Sequence, residues 1–286
     1  MSILSCAIVR RRGAAMLAAL VLTLPVAAAH AAGTMNFGSR SLYVPDPMGF
    51  EAISKSVPRF MQLAQAYLPP SNRLVEAYVT ADDEAALSLG KPIDLKRYFQ
   101  LQTLKSLDGT AVSNEEFQSA AGEIESGLKQ ALGDAEKLGG DLAAQGNKAV
   151  KDMTTVDPKV SVSGTGYLGI YRREPWGQFF TIKSKVSAGA ESTTLVASGG
   201  IVLVNYQLVF LYAYSQYKTE GDRQWVQGAV SEWADAVHEA NPDDPRAAPK
   251  SSLHFDFKGI LRMGMIGAVI GGLIGLIGFM IRKSRA

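Results

Sequence analysis

Thiols and imidazoles are nearly absent from this chain. Among 286 residues there is one cysteine, Cys6, and there are three histidines, His30, His238 and His254. Disulfides, zinc sites of the Cys/His type and Cys–His nucleophilic pairs are therefore excluded for the body of the chain. A positive excess is missing there too. Residues 32–253 carry 21 Lys and Arg against 26 Asp and Glu, while the other 8 basic residues and one acid sit at the two ends. Nucleic-acid binding has no electrostatic footprint in such a distribution. With 47% hydrophobic and 20% charged residues, the composition also excludes a disordered chain. Within the body the most apolar stretch, 201–214, is too short to cross a bilayer and is interrupted by Asn205 and Gln207.

What the body lacks, the ends supply. Arg10, Arg11 and Arg12 precede an uncharged apolar run at 14–24, closed by Pro25 and followed by Ala29-His30-Ala31. Eleven helical residues span only about 16 Å, short of a hydrocarbon core of about 30 Å. Residues 1–31 therefore read as a secretory signal peptide cut near Ala32, and the mature chain is left without cysteine. Near the other end, residues 263–281 carry no charge and span about 28 Å as a helix. Arg282, Lys283 and Arg285 follow at once, and the positive-inside rule keeps that tail, 282–286, in the cytoplasm. The topology expected is type I single-pass: an exported body at 32–240, a Pro-rich linker and interface at 241–258, and a membrane helix at 259–281. Gly267, Gly271 and Gly275 repeat every four residues along that helix, and Gly264 and Gly272 flank Ala268 on an adjacent stripe. Small residues at this spacing let a second helix approach closely, so self-association or packing on a partner helix is expected.

In the body, 57–68 has helical spacing, with Pro69-Pro70 as its stop, and 41–44, 73–80 and 96–104 read as strands. Asp82-Asp83-Glu84 reads as turn material. Ser113 and Glu116 form a capping box that opens a helix of about 30 residues, with its apolar stripe running from Phe117 to Leu142 and a break expected at Gly139-Gly140. From Val160 the period changes to two, giving strands at 159–163, 178–186, 194–204 and 206–217, the last two joined through Asn205-Tyr206. Both faces of the last strand are apolar, which places it at the centre of the sheet. Asp222 caps a closing helix whose stripe is Val226, Val230, Trp233 and Val237. The class expected is α+β, a mostly antiparallel sheet with packed helices.

Chemical motifs are sparse. Gly164-x-Gly166-x-x-Gly169 has the dinucleotide spacing, but a strand follows it where a pyrophosphate site needs a helix N-terminus, so it reads as a glycine-rich bend. The pairs Asp82/Asp83, Glu115/Glu116 and Asp243/Asp244 fall in a turn, a cap and a linker, and His238 has no second ligand-type side chain beside it. The Tyr206–Tyr214 face reads as core, with a ligand cavity as the alternative. Arg172, Arg173 and Trp176 form the best surface candidate, because arginine and tryptophan dominate binding hot spots. No catalytic, cofactor or metal residue is assigned. The expectation is a non-enzymatic, membrane-tethered periplasmic binding or interaction module, with the lipid bilayer and either a protein partner or a second copy as its partners. The rivals are a carboxylate-based envelope hydrolase or lyase and a small-ligand or lipid-binding domain.

Overall fold

The computed structural model describes residues 32–249, apart from 92, 134, 155 and 156. The segments expected to be a signal peptide and a membrane helix, the latter with Gly264, Gly267, Gly271, Gly272 and Gly275, lie outside the described residues. Among the described residues no helix is long and apolar enough to cross a membrane.

The chain opens with a hairpin of β1 (Ala32–Phe37) and β2 (Arg40–Pro45). Then come β3 (Glu51–Ala52), α1 (Pro58–Ala66), β4 (Asn72–Val79), α2 (Ala81–Ser88) and β5 (Arg97–Leu104). Two long helices follow, α3 (Asn114–Gly133) and α4 (Ala135–Met153). A four-strand meander, β6 (Val160–Glu174), β7 (Gly177–Ala188), β8 (Glu191–Val204) and β9 (Gln207–Gln216), leads into the closing helix α5 (Glu220–Glu239). Seven strands form one sheet in the order β3-β4-β5-β9-β8-β7-β6, every neighbour antiparallel. The fold is α+β.

β9 lies between β5 and β8, as its two apolar faces require. Leu208, Phe210, Tyr212 and Tyr214 pack on one side with Phe60, Leu63 and Ala64 of α1 and Leu142, Ala143 and Val150 of α4. Val209, Leu211 and Ala213 pack on the other with Val226, Val230, Trp233 and Val237 of α5 and with Phe37, Leu42 and Val44 of the hairpin. The result is three layers with the sheet in the middle. The aromatic rings need room, and β8 supplies it. A Cβ on Gly199 would stand 2.6 Å from Phe180 Cζ and 2.9 Å from Tyr212 Cε1. The tyrosine face is therefore core rather than the wall of a ligand cavity. At the turn between β8 and β9, Asn205 and Tyr206 both take positive φ, 43° and 64°, the geometry of a tight hairpin turn without glycine.

Four local expectations are corrected. Asp82-Asp83-Glu84 is the first turn of α2, not a loop. Thr80 caps it by accepting from the Asp83 N–H, and three carboxylates beside the positive helix end favour the helix over a turn. The Ser113–Glu116 capping box is present at the start of α3, but Gly139-Gly140 does not break α4, the helix in which that pair lies. Gly139 instead lets α4 lie close on β6, where a Cβ would stand 3.4 Å from Val162 Cβ. In α5 the cap is Thr219, and Asp222 is the reciprocal third-position acid, accepting from the Thr219 N–H at 2.9 Å. The glycine-rich stretch is not a bend between strands. It lies inside β6, whose register against β7 shifts at three places, with Gly164 and Gly169 at φ 57° and 105°. Bulges absorb the extra residues while the ladder continues.

Candidate functional site

Several segments converge where β9 ends. Arg97, the first residue of β5, lies opposite Ser215, and the chain turns through Tyr217, Lys218 and Thr219 into α5. The first turn of α2 and the segment before β5 close the other side. Between them opens a groove of about 590 Å³, within the range of ligand sites. Phe50 and Trp225 supply its aromatic wall and Asp82, Asp83, Asp94 and Asp222 its carboxylates. Lys96, Arg97 and Lys218 supply the cations.

These charges are held differently. The backbone N–H groups of Lys218 and Thr219 each donate to Asp222 at 2.9 Å and hold its carboxyl below the usual range, helped by Arg97 at 3.7 Å. The Arg97 guanidinium lies 4.3 Å above the Trp225 ring, a cation–π contact that fixes both. Asp94 accepts from Gln216 Nε2 at 2.7 Å. Asp83 accepts from the Thr80 hydroxyl at 2.7 Å, which favours its charged form, yet its pKa is raised. Burial is the largest cause, and the neighbouring charges of Asp82 and Asp94 add to it against the pull of Lys96. Asp82 itself is exposed. Among the described residues no group of three His, Cys, Asp or Glu side chains could hold a metal ion. The groove can therefore offer both hydrogen-bond acceptors and donors beside aromatic carbon.

Arg172, Arg173 and Trp176 lie at the opposite end of the sheet, and the structure brings them together as anchors between elements. Arg172 and Arg173 belong to β6, and only Pro175 and Trp176 form the turn to β7. Arg172 makes a two-pronged contact with Asp235 of α5 at 2.7 and 2.9 Å and a further bond to Glu174 at 3.0 Å; the Asp235 bonds lead in raising its pKa. Its guanidinium also lies 4.9 Å from the Phe179 ring centre. Arg173 pairs with Glu125 of α3 at 2.7 Å. Trp176 stacks on His238, ring centres 4.3 Å apart and planes at 9°. The histidine is a packing partner, with Nδ1 buried and no hydrogen-bond partner for it among the described residues.

The other acid pairs are engaged in local structure. Glu116 caps α3, Asp243 accepts from Asn114 Nδ2 at 3.3 Å, and Asp244 caps a short 3-10 turn at Pro245–Ala247. Residues 241–247 are tied to the body as well. Asn241 Oδ1 accepts from the Tyr43 N–H at 2.8 Å, and Asn241 Nδ2 donates to the carbonyls of Tyr43 and Val237, each at 2.7 Å. The Asp244 N–H donates to Asn205 Oδ1 at 3.0 Å, and Arg40 donates to the carbonyls of Ala247 and Asn205.

Sequence reasoning passed over Asp94, Arg97 and Trp225. One signal was available: Trp225 stands beside the apolar stripe of α5 in its first turns, a large ring that Val226, Val230 and Trp233 do not account for. The convergence of α2, β5 and α5 is a tertiary fact with no local pattern. Compared with known proteins, the chain matches no family model and no curated sequence.

Proposed function

We propose that this protein is a non-enzymatic binding module, tethered by one C-terminal membrane helix with its α+β body outside the cytoplasm. The uncharged run at 263–281 with its basic tail and the export signal at 1–31 support the tether. The observation that carries the binding role is the groove. Three of its carboxylates are each fixed by a named donor, and an aromatic wall stands beside them, an arrangement suited to recognition rather than to turnover. The stripe of Gly267, Gly271 and Gly275 supports pairing of the membrane helices. Carbonate extraction tests the tether, the protein being expected to stay with the membrane. Replacing Gly271 and Gly275 by Ile tests the pairing: association in the membrane is expected to fall, and unchanged association removes that part of the proposal.

A second reading is favoured by one observation. The carboxyl of Asp83 is shifted up and that of Asp222 down within one groove, the kind of division that acid–base chemistry on an envelope glycan or peptide uses. Hydrolysis of isolated envelope polymer that disappears in Asp83→Asn would establish it; no hydrolysis by the parent protein removes it.

A further inference from the structure

The β1–β2 hairpin stands outside the seven-stranded sheet, as a two-stranded sheet of its own. Among the described residues no backbone–backbone hydrogen bond joins it to the rest of the body. It is held by packing and by side chains. Phe37, Leu42 and Val44 are buried against α5 and the central sheet. Arg73 donates to the Asn36 carbonyl at 2.9 Å, and Trp233 Nε1 donates to the Pro45 carbonyl at 2.8 Å. Further ties come from one short segment, 241–247. The single carboxamide of Asn241 takes both the N–H and the carbonyl of Tyr43, so it covers the outer edge of β2 as a paired strand residue would. Arg40, beside the hairpin turn, donates to the Ala247 carbonyl. The segment is fastened elsewhere as well, by Asp244 N–H on Asn205 Oδ1 at 3.0 Å and by Asn114 Nδ2 on Asp243 at 3.3 Å.

We infer that residues 241–247 are a strap and the β1–β2 hairpin a flap that the strap holds shut, with Asn241 as the catch. The hairpin joins the body through 46–50, where Met48 and Gly49 are exposed and Gly49, at φ 79°, has open space where a Cβ would stand. That is a place for the backbone to turn as the flap lifts. Once lifted, the hairpin cannot keep its own ladder, because two strands alone are marginal in water. Opening therefore frees the amides of β1 and β2 and uncovers Leu42, Val44 and the Trp233 side of α5, an apolar face that the closed flap hides. The central strands behave differently, since β9 is paired along both edges and buried on both faces. Local opening of this kind lies below global unfolding in free energy, and the catch sets how often it happens. The chain continues past Pro249, so whatever draws the following residues away from the body acts on the strap before it acts on any other element.

The test is amide hydrogen exchange, read peptide by peptide by mass spectrometry on the full chain in mild detergent. In Asn241→Ala the amides of 33–44 are expected to exchange about tenfold faster or more, while those of 177–216 keep the parent rates. Asn241→Asp keeps the acceptor for Tyr43 N–H and loses both donations, so a smaller acceleration confined to the same peptides is expected; it decides the question by the same criterion if the alanine variant does not fold. Asn205→Gly reads the strap itself. It removes the acceptor of Asp244 N–H, suits the positive φ of that turn and leaves the Asn205 carbonyl that Arg40 uses. Hairpin exchange is expected to rise about threefold through the loosened strap. Arg172→Ala, which weakens the body away from the flap, should produce no acceleration particular to 33–44. Parent-like exchange of the hairpin in the Asn241 variants overturns the catch, and acceleration shared evenly with 177–216 overturns the flap, since the hairpin would then open only with the whole body. Hairpin exchange insensitive to Asn205→Gly overturns the role of the strap.

Discussion

The two ends of the sheet solve opposite problems with similar residues. At the end where the chain leaves, Asn241, Asn205 and Arg40 pair polar side chains with backbone groups, and Arg172 closes on Asp235. At the groove end, Asp82, Asp83 and Asp94 gather like charges, and Asp83 is held partly buried at a cost in its own ionisation. Polar groups stabilise a fold when donors meet acceptors, and they store unfavourable energy when acceptors meet one another. One end is therefore a fastening, and at the other Lys96, Arg97 and Lys218 stand among carboxylates that they do not outnumber.

The contrast breaks most sharply at Asn241. Asn241→Ala leaves the Tyr43 N–H and O and the Val237 O without their partner, and is expected to cost about 2–3 kcal/mol, lowering the melting temperature by roughly 5–10 °C in calorimetry. A smaller loss is expected from Arg172→Ala. Its pair with Asp235 is partly open to water and screened, so about 1 kcal/mol, including the contact with Phe179, should be lost and a denaturant midpoint will read it.

The groove end should answer with the opposite sign. Because the folded-state pKa of Asp83 is raised, the folded protein binds more protons than the unfolded chain between the ordinary Asp value of 3.8 and that raised value. Stability therefore falls as pH rises through this window, and the penalty persists above it. Asp83→Asn removes the charge while keeping an acceptor for Thr80. It is expected to melt at or slightly above the parent temperature at neutral pH, the gap closing as pH falls below the Asp range; a clear loss at neutral pH would contradict the assignment. Asp82→Ala should shift stability least, within about 0.5 kcal/mol, since the side chain is exposed and its removal only eases Asp83.

Legibility followed the range of the interactions. Period-two patterning and the doubly apolar strand at 207–216 placed β9 at the centre, because burial on both faces leaves a mark on every residue. The capping box at Ser113 and the stripe of α5 were legible for the same reason: partners three or four residues apart. Gly139-Gly140 misled, since glycine weakens an isolated helix, whereas here close packing on Val162 gives a residue without a side chain its use. The cap Thr80 is hidden in the sequence because the three acids after it have the composition of a turn. Arg172, Arg173 and Trp176 are conspicuous by residue type, but type does not say that Asp235, Glu125 and His238 stand opposite them. The groove joins residues from 50 to 225, and no window of sequence contains it.

The sheet order also sets a sequence of events in time. β6 to β9 are neighbours along the chain as well as in the sheet, so each pairing closes a short loop and the meander can zip by itself. β5 has its second neighbour in β9, about a hundred residues later, with α3 and α4 lying between. As the chain is made from its N-terminus, the first half of the body must therefore wait with one edge of β5 unpaired until the last strand arrives. The rate-limiting event should be the docking of the β3-β4-β5 unit onto a finished meander, and substitutions along the β5–β9 seam should slow maturation more than equal losses of stability elsewhere.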